Sequence, residues 1–169
     1  MGDVITVSSF DLARAQLALG TLQSGGLPDL AAELLETGRD TPSLRVLAGS
    51  GRPVMSDVGS VFEHALRELG LAPLDKQQAL RVLTRRHAHA ILSGEVEPYD
   101  GARLIWDEIS HEYEPFDEIS AFVGLASQID DYGKMALSSP DPYLGYIAAC
   151  TREIQAAAQE YLVGARPAV

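Results

Sequence analysis

Apolar positions recur along this chain at three- and four-residue intervals, and no apolar–polar alternation is long enough to compete as a strand. The pattern therefore predicts helices throughout. Ser8 or Ser9 caps a first helix running to about Gln23, with Gly25-Gly26 as its stop. Leu27-Pro28-Asp29 opens a short second helix that Gly38 ends, and Thr41-Pro42 opens a third that Gly49 closes. Ser56-Asp57 begins a fourth, ended by Gly70. Pro73 opens the longest, to Ser93, with Gly94 beyond it. Pro98 opens a sixth through about Tyr113, and Pro115 a seventh through about Asp131. Pro140 and Pro142 precede an eighth that reaches about Leu162. The stretches 49–55 and 132–141 read as the longest connections. The expectation is an all-α bundle of about eight helices, two of them short, forming one helical domain over residues 1–169.

Projecting these helices at 3.6 residues per turn sorts their faces. In the fifth, Ala79, Leu80, Leu83, Ala90 and Ile91 form an apolar stripe that includes His87, while Arg81, Arg85 and His89 lie opposite. A histidine in such a stripe must find a hydrogen-bond partner or a ligand. In the sixth, Ala102, Ile105, Trp106, Ile109 and Tyr113 share one face. Asp107, Glu108, His111 and Glu112 share the other, with Leu104 among them, where a large aliphatic side chain has no packing reason to be. In the seventh, Ile119, Phe122, Leu125, Ala126 and Ile129 make the buried side.

Composition supports the helical reading and excludes several classes. Ala and Leu occur 22 times each, and both are strong helix formers. One cysteine, Cys150, cannot form an internal disulfide, so a disulfide-stapled scaffold is excluded. No apolar run approaches the ~18 residues of a membrane span. The first residues lack the pattern of a secretory signal. Met1-Gly2 with Thr6 fits a myristoylation pattern, but no polybasic second anchor follows. These features lead to a cytoplasmic expectation.

Charge changes the picture more. The net charge is −11, which opposes binding to a phosphate backbone, so no nucleic-acid partner is expected. Residues 95–133 contain eleven acids and one base, Arg103, whereas the other 130 residues carry 13 acids and 12 bases. Eight of the 11 aromatic residues lie between Tyr99 and Tyr146. Concentrated charge speeds encounter with an oppositely charged partner, and aromatic side chains commonly anchor interfaces. The same acids also fit a solvated helix face.

Candidate chemistry centres on the sixth helix. Asp107 and His111 stand four apart and Glu108-x-x-His111 three apart, so these groups can reach one ion. Carboxylate-bridged di-iron bundles use the E-x-x-H pair twice, and this chain has it once. His111-Glu112 lacks the second histidine of the H-E-x-x-H zinc motif. Asp130-Asp131 begins a D-D-x-x-D diphosphate motif that fails at Lys134. Glu33-x-x-Glu36 needs a helical E-x-x-D partner, and Glu97-x-x-Asp100 and Glu114-x-x-Asp117 are both explained as acids at helix starts. There is no P-loop, no G-x-G-x-x-G and no G-x-S-x-G elbow. Cys150 reads as a packing residue.

Segment 91–106, ILSGEVEPYDGARLIW, resembles a stretch of small all-helical proteins of unassigned function common in high-GC Gram-positive bacteria. Segment 122–127, FVGLAS, is similar to a second shared piece, and the short-helix pair between Leu27 and Ala48 agrees with it. The resemblance covers about a third of the chain. It implies a bacterial, cytosolic setting and no particular activity.

The expected function is a non-enzymatic interaction protein, immunity- or antitoxin-like. It would dock a basic protein partner through Leu104, Asp107, Glu108, His111 and Glu112. No catalytic residue, metal or cofactor is expected on this reading, and a homodimer through an aromatic helix face stays open. The alternative is a small metal-dependent or ligand-binding helical enzyme built on Asp107, Glu108 and His111, with His87 reaching in. Its weakness is that the projection points His87 inward and His111 outward. A third reading is nucleic-acid mimicry by the acidic region.

Overall fold

Helix caps, prolines and glycines at positive φ mark the ends of several elements of this chain. A computed structural model describes residues 7–110, 117–138 and 140–164. It is all-α: eight α-helices and no strand among the described residues. They are α1 (Ser9–Leu19), α2 (Leu27–Glu36), α3 (Pro42–Ala48), α4 (Met55–Glu68), α5 (Lys76–Ser93), α6 (Pro98–Ile105), α7 (Ser120–Ala136) and α8 (Pro140–Gly164). No helix is long and apolar enough to cross a membrane among the described residues.

Several boundaries differ from the sequence expectation, each for a local reason. α1 ends at Gly20, not at Gly25-Gly26. Gly20 adopts φ 73°, and its N–H caps the carbonyls of Gln16 and Leu17. Ser24–Gly26 then forms a 3₁₀ turn that leads into α2. Pro73 does not open α5. Asp75 and Gln78 instead exchange side-chain-to-backbone hydrogen bonds of 2.7 and 2.9 Å, a reciprocal cap that starts the helix at Lys76. α7 continues to Ala136, so most of the expected connection at 132–141 is helical. Before it, Asp117–Ile119 makes a 3₁₀ turn, and Pro115 lies outside the described residues. α3 starts as read: Pro42 occupies its first turn and the Thr41 hydroxyl accepts from the Leu44 N–H at 3.2 Å.

The sixth helix differs most. It is α-helical only to Ile105, and Trp106–Ser110 forms a π turn. Helical projection assumes 3.6 residues per turn, and the i→i+5 bonding of a π turn breaks that register.

The chain divides into two compact units, Ser8–Ala79 and a second from Leu80 onward. In the first, α2 packs on α3 and α3 on α4. Leu27, Leu30, Leu34, Leu44, Leu47 and Phe62 fill its core, where Phe10 meets Phe62 edge to face. In the second, α7 packs against α8 and α6 against both. Ile105, Ile109, Ile119, Phe122, Ile154 and Ala158 are almost fully buried there. The apolar side expected for the seventh helix is the buried one: Ile119, Phe122, Leu125, Ala126 and Ile129.

α6 also meets Ile91 of α5 at Gly101. A Cβ at Gly101 would overlap Cγ1 and Cδ1 of the Ile91 side chain, itself buried. Gly101→Ala is therefore expected to destabilise the protein by about 1–3 kcal/mol, through overpacking that a well-filled site cannot relieve. Urea unfolding of the variant beside the parent checks this; in an Ile91→Ala background, which removes both clashing carbons, the same Gly101→Ala change should cost less, and an unchanged cost would refute the contact.

Candidate functional site

The acidic segment is built on α6, the π turn and α7. Its geometry starts from Arg103, the one base between residues 95 and 133. The Arg103 guanidinium lies 3.2 Å from Asp107 one turn along and 3.4 Å from Asp130 on α7. It also stacks over the Trp106 ring, 4.7 Å from the centroid. Asp130 accepts a second hydrogen bond, from the Tyr99 hydroxyl. That bond to a carboxylate, with burial and the carboxylate's charge, raises the Tyr99 pKa above its ordinary value. One base thus serves two carboxylates and fixes α6 to α7.

Three more of these acids draw partners from α5, which the linear charge count along 95–133 could not reveal. Arg86 pairs with Glu95 at 2.6 Å and holds its carboxyl below the usual range. Arg81 clamps Glu118 at 2.8 Å. His87 Nε2 stands 2.9 Å from Glu108 Oε2. The His87 side chain is only 14% exposed, whereas that of Glu108 is 47% exposed. In the sequence, His87 falls in the apolar stripe of the fifth helix and Glu108 on the polar face of the sixth. The π turn at Trp106–Ser110 is where its register fails, and the structure brings them together. His87 thereby gains the partner that its place in an apolar stripe demands.

Of the residues expected at the docking surface, Leu104 is exposed at 36%, Asp107 is exposed and bonded to Arg103, and Glu108 is bonded to His87. His111 and Glu112 lie outside the described residues. No three His, Cys, Asp or Glu side chains are grouped to hold a metal ion among the described residues. Glu97 and Asp100 are exposed and form no ion pair among the described residues. Cys150 is buried, and burial followed by the charge of Glu153 raises its thiol pKa, so it stays protonated and unreactive.

One feature was visible in the sequence only as aromatic density. Tyr132, Tyr143 and Tyr146 cluster where α7 meets α8, with Tyr132 and Tyr146 stacked at 5.3 Å. Tyr146 is half exposed, and Leu137 and Leu144 are also exposed. Residues 132, 143 and 146 are spread over two helices, so no single helical projection groups them.

The Glu108 carboxyl has a pKa below its ordinary value of 4.5, first because of its bond to His87 and then because of the histidine's charge, with burial opposing both. A lowered carboxylate stabilises the fold fully above its unfolded pKa, and that share is lost as pH falls through the folded value. Glu108→Gln should therefore be less stable than the parent at neutral pH, and the gap should close on acidification below 4.5. Urea midpoints of the two proteins across that range check it; a gap independent of pH would refute the assignment. No family model matches the chain, and neither does any curated protein or solved structure.

Proposed function

We propose that this chain is a non-enzymatic interaction protein of the cytosol, immunity- or antitoxin-like, that docks a basic protein partner through its acidic 95–133 region. Leu104 is the apolar anchor, and Asp107, Glu108, His111 and Glu112 supply the charged and polar contacts. The reading rests on one observation above the others: the negative excess of this segment is only partly offset in the fold. Arg103 is shared between Asp107 and Asp130, and Glu97 and Asp100 lack an ion-pair partner among the described residues. The exposed Tyr146 and Leu144 add the aromatic and aliphatic surface that interfaces use as anchors.

His87 beside Glu108 favours a second reading, a metal- or ligand-binding helical protein using Asp107, Glu108 and His111. Stoichiometric metal in the purified protein would select it over docking.

For the docking reading, the tagged chain should capture a basic protein from its native host at low salt and release it as salt rises. Glu108→Lys with Glu112→Lys should abolish that capture while leaving the helical circular dichroism in place. Undiminished capture by this variant at low salt would sink the proposal.

A further inference from the structure

α8 is the longest helix among the described residues, and its two sides differ. Cys150, Ile154 and Ala158 make its buried side. Opposite them, Arg152, Ala156, Glu160 and Val163 are exposed and Ala149 is half-buried. At 3.6 residues per turn these five positions form one seam, within about 40° either side of Ala156.

Charge sets this seam apart from the rest of the chain. From Tyr143 to Gly164 only Arg152, Glu153 and Glu160 are charged, whereas the whole chain carries −11. Two copies of so acidic a chain repel, and a near-neutral face opposes their approach far less than the 95–133 segment does. Arg152 is also unpaired. The second unit joins Arg81 to Glu118, Arg86 to Glu95, Arg103 to Asp130 and Lys134 to Asp131. Arg152 and Glu160 form no ion pair among the described residues. They cannot pair with each other, because eight residues of helix hold them about 12 Å apart.

Spacing decides what can meet them. Ala149, Arg152, Ala156, Glu160 and Val163 follow one another at intervals of 3, 4, 4 and 3, symmetric about Ala156. A twofold axis at Ala156 that lays a second α8 antiparallel on the first therefore maps the seam onto itself. Ala156 meets its own counterpart on the axis, where two methyl groups let the helices approach closely. Arg152 meets Glu160 of the second copy, and the contact occurs twice. Ala149 leaves room for Val163 of the second copy, a side chain 78% exposed in the single chain. A parallel pairing would instead set Arg152 against Arg152 and Glu160 against Glu160, and like charges across an interface oppose it.

We propose that the chain forms a homodimer through the outer face of α8, held in antiparallel register by two Arg152–Glu160 ion pairs on either side of Ala156. Sedimentation equilibrium of the full chain at physiological salt, from micromolar to millimolar concentration, tests it. The mass should rise to twice that of one chain. Arg152→Glu and Glu160→Arg change exposed side chains and should leave the helical circular dichroism in place. Each turns both ion pairs into like-charge contacts and should weaken self-association by about tenfold. An equimolar mixture of the two variants should regain it, because every charged contact across the axis then joins opposite charges. A single-chain mass at every concentration overturns the proposal. So does undiminished association of either variant. A mixture no more associated than its separate components overturns it too, since the contact would then use another register or another face.

Discussion

The contact of α6 with Ile91 of α5 at Gly101 is the constraint on which the second unit turns. Only a residue without a Cβ leaves room there for Ile91. From that contact α6 runs into the π turn, Arg103 reaches Asp130 on α7, and Glu108 meets His87 on α5. The contact is apolar, and the interactions that follow it are polar and partly exposed. Such polar pairs contribute little to stability individually, so they orient the helices more than they hold them. The buried row of Ile105, Ile109, Ile119, Phe122 and Ile154 supplies the larger stabilising contribution.

Two ways of meeting backbone requirements recur along the chain. Gly20, Gly38, Gly70 and Gly94 stand at positive φ where α1, α2, α4 and α5 end. At the other ends, Ser8, Thr41 and the Asp75–Gln78 pair satisfy first-turn N–H groups with side-chain oxygens. Because these signals are local, helix existence was legible without tertiary knowledge. Proline and glycine placed α2 and α3 within a residue or two, and the apolar stripe of α7 identified its buried side. Where two local signals competed, tertiary geometry decided. Gly20 stopped α1 before the Gly25-Gly26 pair, and the Asp75 cap overrode Pro73.

The site was less legible, for a different reason. Composition along the chain located the excess of acids and the lone Arg103 correctly, but pairing is a property of space. Arg81, Arg86 and His87 belong to α5, and nothing in the linear count brings them to Glu118, Glu95 and Glu108. A projection at 3.6 residues per turn cannot foresee the π turn at Trp106–Ser110, so it could not show that His87 meets Glu108. The tyrosine cluster combines residues from two helices, and the Tyr161 hydroxyl donates to the Arg81 carbonyl from 80 residues along the chain.

The single thiol has a consequence for how this protein's motions can be followed. Cys150 is buried in α8, 3.8 Å from the Gln128 side-chain oxygen on α7, and its raised pKa keeps it in the inert thiol form. An alkylating reagent reaches it only when α8 lifts from α7 or the unit opens entirely. The rate of alkylation under native conditions is then a clock for that opening. No cysteine occurs between residues 8 and 79, so this clock reports the second unit alone, with no mutation or label needed.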